Sequence, residues 1–411
     1  MPEYQAPKGT FDVLPPESAR YERLVAQFAT SAERAGYGLA MGPMFEDVGV
    51  FQRVGEGTDI VRKEMYDFED KGGRRIALRP ESTASLVRAF VQHRPLTPFK
   101  AWYVAPHFRY ENPQTGRFRQ HHSLGAEAIG TADPDVDVEM IALAWRFYAE
   151  LGVTRLRLDL TSLGDDECRP VYRRLLVEFL RGKVLCDEHK ERFEENPLRV
   201  LDCKKPACVE ATADAPFQLD HLCEPCATHF DAVKAGLEAL AVPFTLNKRL
   251  VRGLDYYTRT TFEFAAEALP PTQNAAGGGG RYDKLVEELG GPPTPAIGFG
   301  LGMERILIIC DAEGTFPVPE SQLDVFVIDT TEGHTALIVA DQLRTAGVRT
   351  DRAFDGRSFK AQMKQAIRSG ARFALLIEGE GWSLRTLTEK GEPETVDPAT
   401  VVDHVRKRLQ P

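Results

Sequence analysis

Apolar residues recur three and four positions apart between Pro16 and Ala35. Tyr21, Leu24, Val25, Phe28 and Ala32 share one face, and Gly36 follows as a stop. That spacing predicts an amphipathic helix. Arg79-Pro80-Glu81-Ser82-Thr83 opens a second helix carrying Leu86, Val87 and Phe90. The polar residues at its entry either cap it or leave backbone N–H groups for a ligand. Phe99–Glu111 reads as a strand, Asn112–Arg119 as a polar loop and the segment through Ile129 as a return strand. Arg109 stands at the exit of the first strand, Arg117 and Arg119 on the loop, and Glu127 on the return. Such a hairpin either holds an anionic ligand between fixed cations and a carboxylate or is a solvated basic tip.

Asp133-Pro134 is an N-cap and N1 pair for a helix bearing Ile141, Trp145 and Tyr148 and ending near Gly152. Val153–Leu160 alternates Leu156, Leu158 and Leu160 with Arg155, Arg157 and Asp159, as a half-buried strand does. From about Asp166 to Leu240 the chain turns helical and charged, as an insertion between two pieces of one sheet. Gly277–Gly280, before a helix at Lys284–Leu289, offers either close backbone approach to a ligand or a flexible turn. Pro295–Ile309 reads as a glycine-rich strand feeding a helix with Arg305 in its first turns. Its glycines do not have the dinucleotide spacing. Past the Phe316-Pro317-Val318-Pro319 linker, strands at Leu323–Asp329, Val348–Arg352 and Ala371–Ile377 alternate with helices at Thr335–Thr345, from Ser358, and at Ala399–Leu409. The middle helix carries Phe359, Met363 and Ile367. This pattern predicts a small, mostly parallel α/β domain, with Arg352, Arg357, Lys360 and Lys364 near one end.

A chain of 411 residues has room for two or three domains, and 43% hydrophobic with 27% charged residues is a soluble composition. No apolar run has the length of a membrane span, and the first residues lack the layout of a secretory signal, so a cytoplasmic protein is expected. The net charge of −10 argues against a protein that coats nucleic acid. From Leu323 onward 13 acidic residues balance 13 basic ones, so a nucleic-acid partner would need local basic patches.

Two stretches carry further candidate chemistry. Cys186, Cys203, Cys208, Cys223 and Cys226 fall in one middle segment with His189, His221 and His229 nearby. A Cys223-x2-Cys226 pair with the looser Cys203-x4-Cys208 pair has the makings of one zinc site. Reduced thiols are the preferred reading because the spacing is irregular, so no metal is expected. Leu250–Phe264 sets Arg252, Asp255, Tyr256 and Tyr257 between apolar residues ahead of an alternating strand. It offers a cation, a carboxylate and phenols to a small polar ligand.

Over essentially its full length the chain resembles the histidyl-tRNA synthetases, a class II aminoacyl-tRNA synthetase family. Gly36–Glu46 resembles the first class motif, which in these enzymes lies at a homodimer interface. Phe108–Glu111 with the loop to Gly130 resembles the second, and Gly298–Arg305 the third. Leu-Val-Arg-Gly-Leu-Asp-Tyr-Tyr-Thr-Arg-Thr and Gly-Gly-Arg-Tyr-Asp resemble the histidine-specific signatures. The resemblance implies an α+β fold: residues 1–320 as a catalytic domain with an antiparallel sheet, flanking helices and a helical insertion at about 166–240, and residues 321–411 as an α/β anticodon-binding domain.

It also implies roles. Arg252 and Arg109 are expected to be catalytic. Arg109, Glu111, Arg117 and Arg305 are expected to bind ATP, with Mg²⁺ on the outer phosphates. Glu81, Thr83, Glu127, Tyr256 and Tyr257 are expected to bind L-histidine, Glu127 and Tyr257 at the imidazole. Gln114 and Arg119 are expected to meet the acceptor end of the tRNA for histidine. Two positions depart from the family pattern: Ser123 stands where a glutamine is common and Asn112 where an arginine is frequent. The alternative is a non-catalytic, synthetase-like regulatory subunit of histidine biosynthesis, but such paralogues usually lose signature residues and the terminal domain.

Overall fold

The structure, a computed structural model, describes residues 4–55, 60–250, 256–271, 273–319, 323–331, 333–379, 381–388 and 391–410. The chain forms two compact units, one of Met1–Leu14 and Tyr21–Pro317, the other of Pro15–Arg20 and Val318–Pro411.

The first regular element is α1 (Ser18–Arg34), whose Leu24, Phe28 and Ala32, in the first unit, are fully buried. After β1 (Gly38–Leu39) come β2 (Phe45–Asp47), α2 (Val48–Gly55), β3 (Tyr66–Glu69) and β4 (Arg75–Leu78). The last three strands form a small sheet in the order β2-β4-β3. Then follow α3 (Thr83–His93), β5 (Phe99–Phe108), β6 (Gln120–Ile129), α4 (Pro134–Glu150) and β7 (Leu156–Ser162). The helical stretch comprises α5 (Arg169–Leu180), α6 (Leu198–Asp202), α7 (Pro206–Ala211) and α8 (Glu224–Ala239). Beyond it lie β8 (Thr245–Leu246), β9 (Thr258–Ala266), β10 (Ala275–Arg281), α9 (Leu285–Glu288), β11 (Ala296–Gly302) and α10 (Met303–Glu313).

Eight strands make one sheet in the order β1-β5-β6-β11-β10-β9-β7-β8. Its six inner strands are antiparallel, while β1 and β8 run parallel to their neighbours. Helices α1, α4 and α10 bury apolar faces against it, with Phe28, Ile141, Phe147 and Ile306 completely covered.

Two findings depart from the sequence reading. The glycine run is not a flexible turn but the inner strand β10, paired on both edges. Glycine is needed there because a Cβ on Gly279 would stand 2.0 Å from the Gly298 carbonyl oxygen. Helix α8, inside the expected insertion, buries Phe230, Val233 and Leu237 in the main core. The segment with its own small core runs only from α5 to about Ala215.

The second unit holds β12 (Val325–Asp329), α11 (Thr335–Thr345), β13 (Thr350–Arg352), α12 (Phe359–Ser369), β14 (Phe373–Glu378), β15 (Gly381–Thr386), β16 (Glu394–Val396) and α13 (Val401–Leu409). Its sheet order is β13-β12-β14-β15-β16. β13, β12 and β14 are parallel, but β15 and β16 add an antiparallel edge that sequence patterning missed. The expected apolar stripe of α12 is largely outside. Ile367 is 62% exposed, and Gln362 and Ala366 face inward instead. Ser358 occupies the N-cap position without a side-chain capping bond.

Candidate active site

The inner strands and the N-terminus of α3 enclose a cavity of about 180 Å³, lined by Glu81, Thr83, Tyr103, Arg109, Ser123, Tyr256, Tyr257 and Tyr282 among others. It is smaller than the pockets that take drug-sized ligands and suits a single amino acid. Gly278, Gly298, Gly300 and Gly302 form part of its floor, where bare backbone leaves room for a ligand.

Behind that floor lies Glu127, completely buried on β6. Its Oε1 accepts a hydrogen bond from the Thr83 hydroxyl at 2.7 Å and its Oε2 one from the Tyr282 hydroxyl at 2.5 Å. Gly298 pairs with Glu127 across β11 and β6. Burial pushes the Glu127 carboxyl up to about 8, against the pull of those two hydroxyls. Tyr103, Tyr256 and Tyr282 are raised well above the usual phenol range, again chiefly by burial, so they remain donors.

Glu81 caps α3. Its carboxylate accepts from the backbone N–H of Thr83 at 2.6 Å and of Ala84 at 2.9 Å. The capping and binding readings are therefore compatible, because a carboxylate has lone pairs beyond those two bonds. Burial raises the Glu81 carboxyl, with Arg109 among the groups opposing the shift.

Arg109 leaves β5 half-buried, its Nε donating to the Pro80 carbonyl at 2.9 Å. Beyond it the loop closes through a bridge between Gln114 and Arg117. Arg117 pairs with Glu111 at 2.8 Å, and Arg119 lies 3.9 Å over the Tyr110 ring. Arg305, on α10, donates to the carbonyls of Gln273 at 2.6 Å and Gly116 at 3.0 Å. Among the described residues neither Arg109 nor Arg305 forms an ion pair with a carboxylate, so both can turn to an anion. Arg117 is the other cation facing Arg305. Gln114 and Arg117 are exposed on the loop.

The structure thus brings Glu81, Thr83, Arg109, Tyr256 and Tyr257 to one cavity, with Glu127 behind its floor and Glu111, Arg117 and Arg305 grouped at the loop. Arg252 lies outside the described residues.

Sequence reasoning missed Tyr282, although it sits in the Gly-Gly-Arg-Tyr-Asp signature, and also Tyr103, His107 and His121. His107 is held by Ser82 at 2.8 Å, and burial drives its pKa well below the usual range. Burial and then Arg109 bring His121 down to about 3. Both imidazoles stay neutral and add no charge beside Arg109. Ser123, the departure noted in the sequence, lines the cavity with its Oγ donating to the Leu301 carbonyl at 3.2 Å.

Arg281 of the same signature has a different job. It is fully buried, as is Asp137 on α4, and the two are bound through Nε and Nη2, the latter at 2.6 Å. Arg281 also donates to the carbonyls of Thr131 and Asp133. This fixes the strand end from which Tyr282 reaches Glu127.

The family model described as Histidyl-tRNA synthetase matches residues 9–176 and 190–306. The chain belongs to the histidyl-tRNA synthetase family. It is 48% identical to the histidine–tRNA ligase of Rhodococcus erythropolis, with 97% of each chain covered. It is 47% identical to that of Mycobacterium marinum, with both chains covered in full. Among solved structures, apo histidyl-tRNA synthetase of S. aureus superposes with a TM-score of 0.82 at 33% identity, over 98% of this chain and 100% of that one. The α+β fold and the family membership expected from the motifs both stand.

Proposed function

We propose that this chain ligates L-histidine to its tRNA in two steps. A histidine carboxylate oxygen attacks the α-phosphorus of ATP, the bond to the β-phosphate oxygen breaks, and pyrophosphate leaves. A ribose hydroxyl of the tRNA then attacks the carbonyl carbon of histidyl-adenylate, losing its proton as AMP departs. The observation that carries this reading is the amino-acid-sized cavity, with a buried carboxylate behind one wall and Arg109 in another. Full-length relatives named histidine–tRNA ligase support it, and the regulatory-subunit alternative is not favoured.

In the first step both reactants are anions, so charge neutralisation and alignment supply most of the rate. Arg109 holds the α-phosphate and the histidine carboxylate together, and Arg252 is assigned the role of a second, catalytic cation for the α-phosphate. Arg305, Arg117 and Glu111 serve the rest of ATP. Mg²⁺ would neutralise the outer phosphates. Glu111 and Glu304 are carboxylates of that half, and both are engaged, by Arg117 at 2.8 Å and His122 at 2.9 Å. The ion would therefore be held mainly by phosphate oxygens and water.

Glu81 and Thr83 receive the α-amino group. Glu127 and Tyr257 read the imidazole nitrogens, with Tyr256 alongside. A buried carboxylate left without its partner penalises apolar analogues by roughly 10⁴-fold.

Gln114 and Arg119 serve the acceptor end of the tRNA. In the second unit Phe354 is 50% exposed with the Arg352 guanidinium 4.3 Å from its ring centroid, and Arg357, Lys360 and Lys364 lie nearby in sequence. A basic surface with an open aromatic face suits splayed anticodon bases.

We assign a homodimer in the cytoplasm. Support for the dimer comes from Leu39, Met41, Met44 and Phe45, which are 52%, 87%, 53% and 52% exposed in the first-motif segment. Aminoacylation with labelled histidine, ATP and the tRNA for histidine tests the whole proposal. Charging of that tRNA supports it, and none by a folded protein overturns it.

A further inference from the structure

Sequence spacing allowed at most one zinc site, from Cys203, Cys208, Cys223 and Cys226, and favoured reduced thiols without metal. The structure separates these two pairs and gives each a different set of companions. Cys203 and Cys208 meet Cys186 and His189, while Cys223 and Cys226 meet Asp165 and Cys168. Within each set the four ligand atoms all lie within 4.8 Å of one another. None of the seven cysteines is in a disulfide. We propose that the insertion is a zinc-binding element with two tetrahedral sites, one Cys₃His and one Cys₃Asp.

The distances fit an ion at each centre. Zinc–sulfur bonds of about 2.3 Å place tetrahedral ligands about 3.8 Å apart. Cys186 Sγ lies 3.9 Å from Cys203 Sγ and 3.3 Å from His189 Nδ1, and Cys208 Sγ lies 3.7 Å from the same nitrogen. In the other set, Asp165 Oδ1 is 3.6 Å from Cys168 Sγ and 3.5 Å from Cys223 Sγ. The local spacings are those of metal knuckles: Cys186-x2-His189, Asp165-x2-Cys168 and Cys223-x2-Cys226.

Backbone donors and helix ends face the sulfurs. Backbone N–H groups of Cys186 and Asp165 donate to Cys208 Sγ at 3.4 Å and Cys168 Sγ at 3.3 Å. Cys168 and Cys223 occupy the N-cap positions of α5 and α8, so two helix N-termini converge on the Cys₃Asp site. The second carboxylate oxygen of Asp165 faces Arg259 at 3.4 Å, which orients the first toward the sulfurs. Gly164, at φ +67°, lies against this site, since a Cβ there would stand 2.4 Å from Cys168 Sγ.

The fold gives both sites work to do. Between α5 and α8 the two helices α6 and α7 have five and six residues, and the local core is eight buried residues. So small a core needs a staple, and a metal crosslink supplies one. The Cys₃Asp site joins the start of the insertion to its end. It also braces the entry to β9, because Arg169 beside Cys168 donates to the carbonyl of Tyr257, the residue before that strand, at 3.0 Å.

The test is metal analysis of the untagged full chain, purified under reducing conditions without chelator, by inductively coupled plasma mass spectrometry. Two equivalents of zinc per chain are expected. Cobalt exchanged into the same protein should give the intense visible bands of tetrahedral sulfur-rich sites. Cys203→Ser with Cys208→Ser, and separately Cys223→Ser with Cys226→Ser, should each remove one equivalent. A site whose double variant leaves bound zinc unchanged is overturned. Wild-type protein without stoichiometric zinc or tetrahedral cobalt bands, its thiols titrating freely or joined in disulfides, overturns the whole proposal, and this reading does not depend on any variant folding.

Discussion

Gly298 lies against the carboxylate of Glu127 so closely that a Cβ on it would stand 1.5 Å from Oε2. The two face each other across antiparallel strands, and the carboxylate fills the space a side chain would take. Gly298→Ala must displace either the strand or Glu127. A shift of about 1 Å in a positioning group costs on the order of 10² in rate, and overpacking about 1–3 kcal/mol in stability. Histidine-dependent adenylate formation should fall at least 100-fold in kcat/KM on that basis, with the effect of ATP concentration little changed. Steady-state exchange kinetics check this.

Glu127 gives the site a pH dependence of known sign. Its carboxyl is raised from 4.5 to about 8 by burial, so the folded protein holds a proton there that the unfolded chain has lost. This group's stabilising contribution is full below about pH 4.5 and lost as pH rises through about 8. An imidazole N–H is best met by the ionised carboxylate, so histidine binding expels that proton and tightens about 25-fold from pH 6.5 to 8.5. Glu127→Gln should bind weakly and lose that slope. Calorimetric titration across the range, with melting curves of both proteins, measures both effects.

Arg281 and Asp137 form a completely buried pair. Removing one partner leaves an uncompensated charge, and Arg281→Ala should lose about 3–5 kcal/mol of stability. The Arg281→Ala, Asp137→Ala double variant should lose less than the sum of the two singles. Denaturant unfolding of all four proteins provides the cycle.

The sequence announced the elements whose periodicity is strong and whose partners are near. Leu24, Phe28 and Ala32 mark α1, and the β5–β6 hairpin follows from its own polar loop. It was mute where glycine replaces a pattern: β10 reads as a turn because four glycines have no faces to alternate. It misled at α12, where an apolar stripe lies outside and Gln362 turns inward to bond the Asp329 carbonyl at 2.7 Å. The site was legible through its motifs, yet the bond from Thr83 to Glu127 spans 44 positions and Tyr282 reaches Glu127 across 155. Only the sheet order brings these together. The two cysteine pairs that spacing grouped into one site lie apart from each other for the same reason.

Phe354 separates the two halves of the reaction. If its exposed ring stacks an anticodon base, Phe354→Ala loses about 1–3 kcal/mol of tRNA binding. The KM for tRNA should rise about five- to a hundred-fold, while histidine-dependent exchange, which needs no tRNA, stays as in the wild type. Parallel charging and exchange assays distinguish this from a general loss of structure.

The most direct test of the central claim is ATP–pyrophosphate exchange with each standard amino acid in turn, on the wild type and on Arg252→Ala. Exchange with histidine alone, lost in the variant while histidine still binds, is the expected result. No exchange by a folded wild-type protein, or exchange driven by another amino acid, would contradict the assignment.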